Sequence, residues 1–249
     1  MGNLQRHLTA MPFERALPAV ALSICITVAC LLDGTFAGAE GGVPSAEPSN
    51  RVVILLGGSK GYVSRSYSSC VKALSKRGID GVLLDYLSPT EISELDKEPS
   101  ATRRLREAAA LPHWVASVEA EVKHLRTSNV PGRAIGLMGV SLGGRVMFDA
   151  LAADPEIGAI AAVDGGPDDR LIPQIKALPP MLVVWGKEDR VFNPRIAQAL
   201  SDRAKELGTP VTSILVPRGQ HDFFVADLQR SETICAEAAS FFDNALSGR

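Results

Sequence analysis

Aromatic side chains are scarce in this 249-residue sequence, at 5% of the total. An excess of one charge is missing too: 26 Lys and Arg face 28 Asp and Glu, a formal net charge of −2. Nucleic-acid binding, which needs a clustered cationic face, has no support in that balance. Histidine and cysteine number four each. A chain of this length buries a core without disulfide or zinc staples, and the cysteine spacing fits no zinc motif. There is no internal repeat and no collagen-like, coiled-coil or disordered bias. One globular domain is expected.

Apolar residues are plentiful, at 46%, and part of that excess sits at the start. Residues 16–32, ALPAVALSICITVACLL, carry no charge, follow Arg6 and Arg15, and end at Asp33. Ala37-Gly38-Ala39 is a small-residue site. A basic start, a short apolar core and such a site describe a secretory signal peptide over residues 1–39. The expected location is secreted or periplasmic, with no stable membrane association once the leader is cleaved. Two alternatives stay open. Residues 16–32 are an uncleaved anchor, although a span needs about 20 residues, or Cys30 is a lipoprotein cysteine. Residues 40–50, EGGVPSAEPSN, have the composition of a flexible linker. The folded domain is then expected over 51–249.

From Arg51 onward, strand patterns alternate with helix patterns. Continuous apolar runs at 52–56, 79–86, 134–140, 160–164, 181–185 and 211–216 suit strands buried on both faces. Helices are expected over 66–77, 101–110, from Pro112 onward, and over 142–152, 194–207 and 231–246. The order implies an α/β fold with a mostly parallel sheet and helices on both faces. In such sheets ligands sit at the carboxyl ends of the strands, so the chemistry is sought there.

After the third strand comes Gly139-Val140-Ser141-Leu142-Gly143. This is G-x-S-x-G between a strand and a helix, a turn that exposes a serine hydroxyl. A hydroxyl needs a base to become a nucleophile. His7 lies in the leader, and His113 and His124 lie on a helix. His221 follows the sixth strand, where a base should hang. Its orienting carboxylate is expected at Asp189, in Gly186-Lys187-Glu188-Asp189 after the fifth strand. Glu188 and Asp164 are the other candidates. The Leu142 N–H is one expected oxyanion donor. The second is expected in Gly57-Gly58-Ser59, with Gly58 first and Ser59 next.

The chain order Ser141, Asp189, His221, with AIGLMGVSLGG (134–144), PPMLVVWGKEDRVFNP (179–194) and RGQHDFF (218–224), resembles the α/β-hydrolase superfamily and its dienelactone hydrolase-like families. The resemblance covers about residues 51–246. It implies a Ser–Asp–His hydrolase with no metal or organic cofactor, acting on a small-molecule acyl substrate. IGLMGVSLGG also resembles, more weakly, a thioesterase branch. Three features depart from dienelactone hydrolases. The nucleophile is serine rather than cysteine. No arginine directly follows His221, where those enzymes hold a substrate carboxylate. Residues 165–178 are too few for a lid, so any cover comes from 87–111.

The expectation is therefore an exported serine hydrolase of carboxylic esters. A peptidase, a thioesterase or a non-catalytic binding protein on the same fold are the alternatives. In this fold the first and last helices share a face, so Cys70 and Cys235 either form a disulfide or remain two buried thiols.

Overall fold

The computed structural model describes residues 48–153 and 156–248. The leader expected over 1–39 and most of the linker expected over 40–50 lie outside the described residues. Six strands build one sheet in the order β2-β1-β3-β4-β5-β6, every neighbouring pair parallel. They are β1 (Arg51–Leu56), β2 (Asp80–Leu83), β3 (Ala134–Val140), β4 (Ala159–Val163), β5 (Met181–Gly186) and β6 (Val211–Val216). The helices are α1 (Arg65–Ser75), α2 (Pro89–Lys97), α3 (Ser100–Arg126), α4 (Leu142–Ala153), α5 (Arg195–Glu206), the single turn α6 (Phe223–Ala226) and α7 (Leu228–Leu246). This is the α/β-hydrolase fold.

The apolar runs are explained by burial on both faces. In β1, Val52, Ile54 and Leu56 join the core under α3, α4 and α5. Val53 and Leu55 point the other way, into the core under α1 and α7. Each buried Val, Leu or Ile contributes about 1.5–3 kcal/mol of transfer free energy. Trp114 and Trp185 are fully buried in the first core.

Three expectations change. The run at 79–86 yields only the four residues of β2, half-exposed rather than buried. β2 is an edge strand, paired with β1 alone, while Ile79, Tyr86 and Leu87 are buried in the flanking loops. The two helices expected on either side of Pro112 are one, α3. Pro112 removes a single N–H, and the carbonyl it leaves free belongs to Ala108, which faces solvent. Finally, α2 was not expected. Its start is a capping box: Ser88 Oγ accepts from Glu91 N (3.2 Å) and Glu91 Oε2 accepts from Ser88 N (2.8 Å). Glu91 Oε1 accepts from Trp114 Nε1 (2.8 Å), which pins α2 to α3. Together α2 and the first half of α3 occupy the segment expected to supply a cover.

Cys70 on α1 and Cys235 on α7 form a disulfide, with their Cα atoms 4.6 Å apart. Among the described residues no helix is long and apolar enough to cross a membrane.

Candidate active site

Ser141 stands between β3 and α4 with φ 52°, in the left-handed region. Side chains rarely tolerate that conformation, and here the surroundings enforce it. Ser141 N donates to Val163 O (2.9 Å), and Ser141 O accepts from Gly144 N (2.9 Å). The flanking glycines are required by close approach. A Cβ at Gly139 would lie 2.5 Å from Gly143 O, and one at Gly143 would collide with the carbonyl oxygen of Leu56. The turn is squeezed between β1 and α4, and only hydrogen fits.

The loop after β5 carries Asp189 and the loop after β6 carries His221. Two backbone bonds stitch these loops together: Lys187 N donates to Val216 O (3.1 Å) and Glu188 N donates to Gly219 O (2.9 Å). The result is a continuous hydrogen-bonded chain. Ser141 Oγ lies 2.8 Å from His221 Nε2, and His221 Nδ1 lies 2.9 Å from Asp189 Oδ2. The Asp189 carboxylate is fully buried, and the His221 ring is about one-quarter exposed. Burial of that carboxylate is compensated, because Asp189 Oδ1 also accepts from Val191 N (2.7 Å) and Phe192 N (3.0 Å). With Nδ1–H directed at Asp189, Nε2 is left to accept the serine proton.

Phe192 was not anticipated. Its ring stacks on the His221 imidazole, centroids 5.6 Å apart. Its carbonyl accepts from Trp185 Nε1 (3.0 Å), which fixes the loop to the core. The signal was present in sequence only as an aromatic three residues after Asp189. Phe223 and Phe224, beside the histidine, are buried, and Phe224 packs edge-on against Tyr67.

Leu142 opens α4, so its N–H belongs to the first helical turn, whose amides lack a partner within the helix. The loop after β1 is arranged differently from expectation. Gly58 N donates to Tyr67 Oη (3.1 Å), so the first-choice amide is already engaged. A Cβ at Gly58 would sit 3.5 Å from Ser141 Cβ, so the loop does border the serine. Ser59 carries the next amide along. Tyrosines hold this loop: Tyr86 Oη donates to Gly57 O (2.6 Å), and Tyr62 Oη lies 2.7 Å from Leu84 O. Burial pushes both phenols above their ordinary titration range, so they stay protonated donors. Arg145, one turn into α4, lies 3.9 Å from Glu107 on α3, a helix-to-helix pair.

Asp164, at the end of β4, approaches the same group. Asp164, Asp189 and His221 bring one potential ligand atom each to within 4.8 Å of one another. Asp189 Oδ2 and His221 Nδ1 are already hydrogen-bonded to each other, and Asp164 stands beside that pair without a hydrogen bond to either.

Comparison with known proteins shows the family and the fold. The model of the dienelactone hydrolase family matches residues 44–244. A dienelactone hydrolase from Anabaena variabilis has the same fold, with a TM-score of 0.63 at 19% identity over 80% of this chain and 88% of that one. A cold-adapted esterase from an Arctic intertidal metagenomic library gives 0.61 at 22% identity, over 82% and 86%. Est1E from Butyrivibrio proteoclasticus gives 0.55 at 14%, over 79% and 90%. No curated protein matches.

Proposed function

The chain belongs to the dienelactone hydrolase family and is a hydrolase, and from that premise we propose that it cleaves carboxylic esters of small, uncharged acyl groups through Ser141, His221 and Asp189. The observation that carries this reading is the unbroken chain from Ser141 Oγ through His221 to Asp189, at 2.8 and 2.9 Å. Ser141 Oγ attacks the acyl carbon as His221 Nε2 takes the hydroxyl proton. The imidazolium gives that proton to the alcohol oxygen as the ester C–O bond breaks. Water then attacks the acyl-enzyme, its proton passes to His221, and Ser141 leaves with a proton restored. Asp189 holds the ring and stabilises its positive charge. Leu142 N–H and, since the Gly58 amide is engaged by Tyr67, the Ser59 N–H stabilise the oxyanion. One such donor is worth about 2.7–4 kcal/mol.

Side chains on the loops at the carboxyl ends of the strands support that substrate class. Val63 after β1, Leu171 after β4, Val191 after β5 and Val225 after β6 are exposed apolar side chains. All four lie in segments that leave the carboxyl ends of the strands. These apolar side chains suit an apolar acyl or alcohol group, although exposed Lys60, Arg170, Lys187 and Arg190 share the same loops.

A fluorophosphonate probe tests the chemistry. Expected is covalent labelling of the wild type and none of Ser141→Ala. Equal labelling of both proteins, or none of either, removes the serine-nucleophile reading. A p-nitrophenyl ester series of rising acyl length, with matched thioester and peptide substrates, reads the preference.

We further propose that the protein is exported, with the leader ending at Ala39. The Cys70–Cys235 disulfide supports an oxidising destination. N-terminal sequencing of the mature protein from its native host checks the leader. An N-terminus upstream of the apolar segment at 16–32 excludes cleavage.

A further inference from the structure

Asp164 closes β4 with φ 44°, a conformation that an aspartate tolerates only where neighbours hold it. They do: Asp164 N donates to Val184 O (3.0 Å), and Asp164 Oδ1 accepts from Gly186 N (2.8 Å). The residue is 1% exposed, and its second oxygen, Oδ2, is buried with no hydrogen-bond partner among the described residues. A carboxylate left so would be costly. The titratable groups facing it are Asp189 from the loop after β5, and His221 and Asp222 from the loop after β6. Asp164, Asp189 and His221 each have an atom within 4.8 Å of the others.

We propose that Asp164 is a positioning residue for His221, a second carboxyl beside the relay that supplies negative charge to the imidazolium when it ionises. The proposal rests on the Ser141–His221–Asp189 reading above. Burial pushes the Asp164 carboxyl up to about 8, with the Gly186 N–H opposing the rise and the negative charges of Asp189 and Asp222 adding to it. At neutral pH Asp164 is therefore an uncharged acid beside the Asp189–His221 pair. On the alkaline side Asp164 gives its proton to solvent, and two carboxylates then face the ring. A unit charge about 5 Å from the imidazolium stabilises it strongly in a partly buried site. The transition state carries that imidazolium and the resting enzyme does not, so the rate rises.

The test compares wild type with Asp164→Asn, which keeps an acceptor for the Gly186 N–H but cannot ionise. The measurement is kcat/KM for p-nitrophenyl butyrate, corrected for uncatalysed hydrolysis, with enzyme counted by fluorophosphonate titration. Expected is a wild-type-to-variant ratio that grows on the order of tenfold between about pH 6.5 and about pH 9.5. A constant ratio overturns the proposal. Should Asp164→Asn fail to fold, Asp189→Asn carries the same test. There Asp164 is the remaining carboxyl, its ionisation moved to lower pH by loss of the Asp189 charge, and kcat/KM should climb on the order of tenfold between about pH 5.5 and about pH 9.5. A flat profile overturns the proposal. Probe labelling separates the two failures. A wild type that takes no probe defeats the serine reading and this proposal together. A labelled, active wild type with a constant ratio defeats this one alone.

Discussion

At the scale of single residues, the site depends on atoms that are missing. Gly143 has no Cβ, and one added there would meet the backbone of Leu56, which cannot swing aside as a flexible side chain would. Gly143→Ala should therefore displace the serine turn from β1. We expect a loss of about 3 kcal/mol in urea unfolding and a fall in kcat in the fraction that folds. The motif made this legible, because G-x-S-x-G between a strand and a helix states where small residues are needed. Ser141, Asp189 and His221 were named from their places after three strands, and the structure joins them. Phe192 was not legible, and Asp164 was legible only as an alternative carboxylate for His221, not as a neighbour standing beside Asp189. Both depend on how the loops after β4, β5 and β6 converge, and no local pattern encodes a distance between loops. Gly58 shows the same limit: its composition suited a free amide, and Tyr67, nine residues on, takes that amide.

At the scale of elements, strands buried on both faces announce themselves as unbroken apolar runs. The run at 134–140 coincides with β3, which is buried; 211–216 forms β6, but as an edge strand with only Val216 buried. β2, at the opposite edge, keeps only four of the eight residues of its run, because Ile79 and Tyr86 are buried without pairing. α2 was hidden in a charged stretch, yet Ser88-Pro89-Thr90-Glu91 is a capping box with proline at the first helical position. Glu91 joins two elements, closing the cap with one oxygen and accepting from Trp114 with the other. Glu91→Ala should cost about 1–3 kcal/mol in chemical unfolding, more than a cap alone, because it also leaves the Trp114 N–H without its partner. Ser88→Ala removes the cap only and should cost less. Equal losses in the two variants would mean that the Trp114 bond contributes nothing. Pro112 shows why propensity alone misleads: a proline on the solvent side of a long helix leaves only an exposed carbonyl free.

At the scale of the whole molecule, the sheet separates two cores, and the disulfide lies in one of them. Cys70 and Cys235 are 165 residues apart in sequence. Bridging so long a segment restricts the unfolded chain, and the Cys70→Ser, Cys235→Ser double variant should lose about 2–5 kcal/mol. Calorimetry of the two proteins checks it, and an unchanged Tm would show that the bridge contributes nothing to stability. The pairing was one of two open readings in the sequence. Two helices on one face bring two cysteines near each other, but only coordinates give the 4.6 Å between their Cα atoms.

That bridge also decides what a protease can accomplish. Ser141, Asp189 and His221 all fall between the two linked cysteines. A single nick in any exposed connection between residues 70 and 235 therefore yields two pieces that remain one covalent body. The cut ends cannot diffuse apart, and the sheet can hold its register around the wound. Such damage shows as a shorter band only after reduction, while the unreduced protein keeps its full mass.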